Sequence, residues 1–211
     1  MSKHLPGHAQ IVIVGGGVVG SSIAYQLTKA GVSDVVLLER GVLTCGTSWH
    51  AAGLIMQLRG GHATTDIAKY NAEFYPELEA DTGLATGFKQ NGTLAIGRNM
   101  DRVHEMNRRA SLAKSFGIDA HVISPKEVKD MYPALDDSFV AGGLFIPKDG
   151  QLSPVDTINA VIAGAKKRGA KVFEGTPVDT MQRLPSGEYQ LSTKTGTITC
   201  ETLVLACGLW T

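Results

Sequence analysis

The sequence predicts an α/β fold: a parallel sheet with helices against it and a β-meander, interrupted by an α+β insertion. Three observations predict it. Residues 11–40, IVIVGGGVVGSSIAYQLTKAGVSDVVLLER, read as strand, glycine turn, helix and strand in register. Residues 178–200 read as three short strands divided by turn residues. Residues 81–147 mix strands and helices without βαβ alternation, as an α+β lobe does.

Residues 11–14 are a short β-branched apolar run, as expected of a strand buried on both faces. The turn after it contains G-x-G-x-x-G at Gly15, Gly17 and Gly20, with Val18 and Val19 between the last two. Gly15 permits the tight turn, Gly17 lets a pyrophosphate approach the backbone, and Gly20 lets helix and strand pack closely. The helix that follows starts with N–H groups free to bind phosphate. Ala24 and Leu27 continue the face that Gly20 begins, and Gly31 sits where a closing glycine belongs. Residues 35–38 form the second buried strand. Glu39 ends it, nineteen residues after Gly20, placed to accept hydrogen bonds from an adenosine ribose. Together these are the parts of a Rossmann-like site. An acid at Glu39 favours a free 2′-hydroxyl, so FAD or NAD rather than NADP, and the motif leaves those two open. Arg40 reads as a strand-end residue or as a contact to the adenosine.

Composition excludes several classes. The 211 residues suffice for one large domain or two small ones. Hydrophobic content of 43% and charged content of 19% indicate a globular chain. Twenty Lys+Arg balance twenty Asp+Glu, so net charge points to neither nucleic acid nor an anionic membrane. No apolar run has the length of a membrane span, and MSKHLPGHAQ has the character of neither a signal nor a transit peptide. Cys45, Cys200 and Cys207 are odd in number and lack metal-type spacing, which reads as reduced thiols in a cytoplasmic protein.

After Arg40 the chain is rich in Gly, Ala, Ser and Thr, with Trp49 and His50 in its midst. Small residues there let the backbone pass close to a large flat ligand. Residues 65–80 read as a helix with Ile67, Tyr70, Phe74 and Leu78 on one face, kinked or restarted at Pro76. Asn91-Gly92 predicts a two-residue hairpin returning through residues 93–97. Val103, Met106, Ala110 and Ala113 mark a helix, residues 120–123 a strand, and Ser124-Pro125-Lys126-Glu127 a capping box. Residues 140–146 read as a strand and Lys148-Asp149-Gly150 as a turn. Ser153 caps a helix whose stripe is Val155, Ile158, Ile162 and Ala165, closed by Gly169. Residues 171–174 form a third parallel strand, the meander strands are 178–183, 189–193 and 197–200, and residues 202–207 are a fourth parallel strand. That strand runs into Ala206-Cys207-Gly208, a second close backbone approach to a ligand. The meander is expected to pack on the parallel sheet. The abrupt stop at Thr211 reads as an N-terminal fragment of a longer protein.

The βαβ start, the meander and the ACG strand resemble the FAD domain of the glycine oxidase and D-amino-acid oxidase superfamily. TSWHAAGL, from Thr47, Ser48, Trp49 and His50 through Leu54, is similar to the signature of the sarcosine and dimethylglycine dehydrogenase family. The similarity continues through MQLR, PELEADTGL, QNGTLAIG, HVISPKEVKDMYP and FIPKDGQLSP. The resemblance implies FAD carried covalently on His50, and an N-methyl amine such as sarcosine or dimethylglycine as substrate. Hydride passes to the flavin, and formaldehyde or a tetrahydrofolate-bound methylene leaves, the folate site lying in a C-terminal domain of longer members. It implies an electron-transfer flavoprotein or oxygen as acceptor, a cytoplasmic location (mitochondrial matrix in a eukaryote), and catalytic residues beyond Thr211. It further implies that Val178 gives backbone bonds to adenine. The expected cofactor set is therefore Gly15, Gly17, Val18, Val19, Gly20, Glu39, Arg40, Thr47, Ser48, Trp49, His50, Leu54, Val178, Ala206 and Gly208. Residues 1–80 and 148–211 form the FAD-binding domain in this reading, and 81–147 part of a substrate-binding lobe. Arg59 and His62 read as solvated loop residues or as contacts to an anionic substrate, and Cys45 and Cys207 as small packing residues. The pyruvate dehydrogenase phosphatase regulatory subunit resembles the same enzymes and supplies a non-catalytic alternative. An NAD-dependent dehydrogenase conflicts with the meander and the ACG strand.

Overall fold

The computed structural model describes residues 4–211. In chain order the elements are β1 (His8–Val14), α1 (Val18–Lys29), β2 (Val35–Leu38), a 3₁₀ turn (Ser48–His50), β3 (Leu54–Ile55), α2 (His62–Thr82), β4 (Thr93–Gly97) and α3 (Met100–Ser115). Then come β5 (His121–Ile123), α4 (Pro125–Met131), β6 (Gly142–Ile146), β7 (Gly150–Gln151), α5 (Pro154–Lys167), β8 (Lys171–Phe173), β9 (Val178–Arg183), β10 (Tyr189–Thr193), β11 (Gly196–Leu205) and a 3₁₀ turn (Gly208–Trp210). They form two compact units. The first runs to Ala52 and adds Leu78–Thr86 and Ser153–Thr211; the second is Gly53–Glu77 with Gly87–Leu152. These divisions fall elsewhere than at 80/81 and 147/148, because residues 53–77 gather with the strands and helices of the insertion.

The first unit is a six-stranded mixed sheet in the order β8-β2-β1-β11-β10-β9. Strands β8, β2, β1 and β11 are parallel, with Val14 beside both Leu38 and Leu205. The four apolar residues of β2 are all buried, as a central parallel strand requires. Ala9, Val12, Val36, Leu38, Leu191, Ile198 and Cys200 make one core cluster. The meander differs from expectation: it extends the sheet edgewise instead of packing on it. Its last strand and the fourth parallel strand are one strand, β11. Only Glu201 lies between the two expected segments, and neither Gly nor Pro interrupts them. Thr199 and Cys200 accordingly pair with β10 on one side and with His8 and Ala9 of β1 on the other.

Helix α1 buries Gly20, Ser21, Ala24, Tyr25 and Thr28. The Tyr25 hydroxyl donates to Asp81 Oδ2 (2.9 Å), which also accepts from Arg168 (2.6 Å), while the guanidinium lies 5.1 Å from the Tyr25 ring centre. The Arg168 hydrogen bond, with help from Tyr25, outweighs burial and holds the Asp81 carboxyl below its ordinary value. A lowered folded-state pKa adds stability that is present above the unfolded value of about 3.9 and is lost as pH falls through the folded one. Asp81→Ala should cost roughly 1–3 kcal/mol near neutral pH, since it strands two donors. Urea unfolding should show that deficit shrinking below about pH 4.

The second unit holds the three-stranded antiparallel sheet β4-β6-β5 and the pair β3-β7. Leu58, Met106, Ala113, Ile118, Leu144 and Ile146 form its core cluster. Ser124 and Glu127 make the expected capping box at α4, and Asn99 caps α3. Asn91-Gly92 does not make a hairpin: Gly92 takes φ +80 and its amide donates to the Asp149 carbonyl (2.9 Å). Its neighbour Lys89 bridges to Gln151, and β4 pairs with β6 about fifty residues on. The three polar or aromatic residues before Asn91 offer no strand for β4 to fold back upon. Helix α2 continues through Pro76 as one element, and its buried positions include Thr65, Ala68, Ala72, Phe74 and Leu78. Ile67 and Tyr70, expected inside, are 61% and 50% exposed. Asp149 Oδ1 accepts from the Gln57 backbone (2.9 Å), pinning the segment after β3 to the turn after β6.

Candidate cofactor site

The carboxyl ends of β1, β2 and β11 lie side by side, so the loops leaving them converge at one edge of the first unit. The Gly15 amide donates to Leu38 (2.8 Å) and the Ala206 amide to Val14 (2.9 Å), which ties the three exits together. Gly15 has φ +114, and a Cβ there would fall on the Ala206 carbonyl. A Cβ at Gly20 would fall on the Gly15 carbonyl and crowd Ile13. The expected jobs of both glycines are thus met by backbone rather than by movable side chains.

Helix α1 has no side-chain cap at Gly17 and no acid in its first turn. One of its orphan donors, the Val18 amide, bonds Ser48 Oγ from thirty residues downstream (3.0 Å). Val18 and Val19 are 52% and 58% exposed. A positively polarised helix end with no acid in its own first turn, above a glycine turn, suits a diphosphate.

Glu39 follows β2 and is 7% exposed. Its Oε2 accepts from the Gly16 amide (2.6 Å) and its Oε1 from the Gly41 amide (2.9 Å). The carboxylate therefore shapes the glycine turn. The Glu39 carbonyl accepts from Thr176 (2.8 Å), and Glu174 accepts from the Leu43 amide (2.8 Å), so the loop after β2 is braced against the one after β8. The Cys45 thiol lies 3.5 Å from Glu39 Oε1. Desolvation first, then the Glu39 charge, pushes that thiol up from its ordinary value, which disfavours a reactive thiolate. Cys207 is half-buried with Sγ 3.7 Å from the Val14 carbonyl. Arg40 is exposed, its guanidinium 4.8 Å from the Trp210 ring centre.

The 3₁₀ turn presents Trp49 and His50 on the surface, with ring centres 3.9 Å apart and planes 36° from parallel. Thr47 caps the turn, and its carbonyl accepts from the His50 amide (3.1 Å). Ala206 follows β11 and Gly208, at φ +67, opens the last turn. Gly15, Gly17, Val18, Val19, Gly20, Glu39, Thr47, Ser48, Ala206 and Gly208 thus belong to one edge of one unit. Val178 opens β9 and packs against the core cluster. Leu54 lies in β3 of the second unit, opposite Gln151. In that unit Arg59 brackets Thr65 through its backbone, and His62 Nδ1 is 2.8 Å from Asp66. Reasoning from sequence missed Thr44, the one non-glycine residue at positive φ (+71) among those described, whose amide reaches the Gly16 carbonyl (3.3 Å). Nothing in Leu43-Thr44-Cys45 marks a left-handed turn, since a β-branched residue is an unusual choice there. Among the described residues no His, Cys, Asp or Glu cluster suits a metal, and no helix is long and apolar enough to cross a membrane.

The family model "DAO: FAD dependent oxidoreductase" matches residues 10–211. The chain is 38% identical over 207 residues to 4-methylaminobutanoate oxidase (formaldehyde-forming) of Paenarthrobacter nicotinovorans, covering 98% of this chain and 25% of that protein. It is 38% identical to human mitochondrial sarcosine dehydrogenase, covering 99% and 23%. It is 32% identical to the mouse mitochondrial pyruvate dehydrogenase phosphatase regulatory subunit, covering 98% and 24%. Among solved structures, L-proline dehydrogenase from P. horikoshii superposes with a TM-score of 0.89 at 29% identity, over 98% of this chain and 54% of that one. The chain spans about a quarter of the length of these curated relatives.

Proposed function

The chain belongs to the DAO family of FAD-dependent oxidoreductases, and from that premise we propose that its protein oxidises an N-methyl amine such as sarcosine or dimethylglycine. Formaldehyde or a folate-bound methylene is released, the latter where a tetrahydrofolate domain is present. FAD, when bound, supplies the two-electron acceptor. The pyrophosphate would lie across Gly17 at the start of α1, which has no acid in its first turn, and Glu39 would accept from the ribose. Arg40 and the Val178 backbone meet the adenosine. Thr47 and Ser48 would steady the strip that carries His50, the residue of covalent attachment. Ala206 and Gly208 give a second close backbone approach. The first unit serves the cofactor, and the second the substrate side. An electron-transfer flavoprotein or oxygen takes the electrons, in the cytoplasm or, in a eukaryote, the mitochondrial matrix.

The observation that carries this reading is the edge itself. A helix start without an acid in its first turn, a glycine turn closed by backbone and a buried acid joined to that turn occur together. The names of the relatives at 38% identity support the amine class. The test is anaerobic mixing of the protein from its complete reading frame with sarcosine, dimethylglycine and 4-methylaminobutanoate. Loss of visible flavin absorbance with one of them is the expected result. A flavin that none of the three bleaches would contradict the amine reading and favour the non-catalytic relation to the phosphatase regulatory subunit.

A further inference from the structure

We propose that Thr44 is a further cofactor-binding residue, its hydroxyl donating to a phosphate oxygen of the FAD diphosphate. This rests on the edge that carries the glycine turn being the FAD site. The loop after β2 runs alongside that turn. The Thr44 amide donates to the Gly16 carbonyl (3.3 Å), and four residues on Ser48 Oγ accepts from the Val18 amide (3.0 Å). The Gly16 amide in turn donates to Glu39 Oε2 (2.6 Å). Thr44 is thereby held against the turn at Gly16, one residue before Gly17, where the diphosphate would cross to the start of α1.

The side chain at this place is unusual. Thr44 is 7% exposed. Among the described residues its hydroxyl has no hydrogen-bond partner. It is not sealed off either, because Asp149 Oδ2 is the one fully buried side-chain polar atom left unpartnered among those residues. A hydroxyl mostly withdrawn from water and unpaired carries a desolvation cost, which an acceptor arriving with a ligand offsets. The backbone points the same way. Thr44 has φ +71, a left-handed conformation that a β-branched residue adopts only under strain and glycine adopts freely. Glycine would therefore serve the loop better, and what threonine adds is a hydroxyl beside the turn. A phosphate oxygen is anionic and carries no proton, so the hydroxyl is the donor and the bond is charge-assisted.

The test uses protein from the complete reading frame in a His50→Ala background, which keeps FAD non-covalent. The Thr44 parent, Thr44→Ser, Thr44→Val and Thr44→Gly are titrated as apoproteins with FAD and with ADP, which carries the diphosphate without the flavin. Thr44→Val keeps the shape and removes the donor, and Thr44→Gly removes the donor and the strain together, so the comparison survives if valine does not fit. Both should bind FAD and ADP about tenfold more weakly, as for the loss of one hydrogen bond to a charged group. Thr44→Ser retains the donor and should stay within about threefold of the parent. Parental FAD affinity in Thr44→Val or Thr44→Gly would overturn the proposal. So would a Thr44→Ser variant as weak as Thr44→Val, or a loss seen with FAD and absent with ADP. A parent that takes up neither ligand would overturn the reading of this edge as the FAD site, and the role of Thr44 with it.

Discussion

Gly20→Ala is expected to abolish FAD retention and to cost roughly 3 kcal/mol of stability, at the upper end for a group forced into packed surroundings. The new methyl would meet the Gly15 carbonyl and Ile13, one of them backbone. Relief requires α1 to lift from β1, which opens the core beneath Ala24 and Tyr25 and moves the helix end that binds phosphate. Chemical denaturation measures the first effect, and flavin content after gel filtration the second. Gly7→Ala is the control. Nothing lies within 4 Å of a Cβ there, so it should stay within about 0.5 kcal/mol of wild type.

Glu39→Ala should weaken FAD binding by roughly 1.5–3 kcal/mol, the range for losing a hydrogen bond to a charged group. Titration in a His50→Ala background keeps the cofactor non-covalent. The carboxylate also takes up the Gly16 and Gly41 amides, so the apoprotein should lose stability as well. Glu39→Gln retains one acceptor oxygen but turns N–H toward a backbone donor, and should fall between wild type and alanine. Unchanged FAD affinity in Glu39→Ala would show that Glu39 does not touch the ribose.

Local chemistry made much of this legible in advance. The βαβ start rests on β-branched runs, a glycine turn and a closing glycine, all decided within thirty residues. The caps at Ser124 and Ser153 are equally local and form as expected. What escaped was decided by distant partners. β11 reads as two strands because its hydrophobic pattern changes where its neighbours change, from β10 to β1. Asn91-Gly92 carries hairpin chemistry, yet the partner of β4 comes from residues 142–146. Ile67 and Tyr70 share the helical period of Phe74 and Leu78, but alanines at 68 and 72 take the inner face, where small residues permit closer packing. At the candidate site, sequence spacing put Glu39 at the end of β2 but did not show its bond to Gly16. The left-handed Thr44 and the Arg40–Trp210 stack had no local signal.

The most direct test of the account concerns His50 in the wild-type protein from its complete reading frame. The FAD-loaded protein is precipitated with acid, washed and digested, and the peptides are weighed. The account predicts a yellow pellet and a peptide containing Trp49 and His50 heavier by the mass of FAD less two hydrogens. Flavin released completely into the supernatant, with that peptide at its unmodified mass, would contradict it.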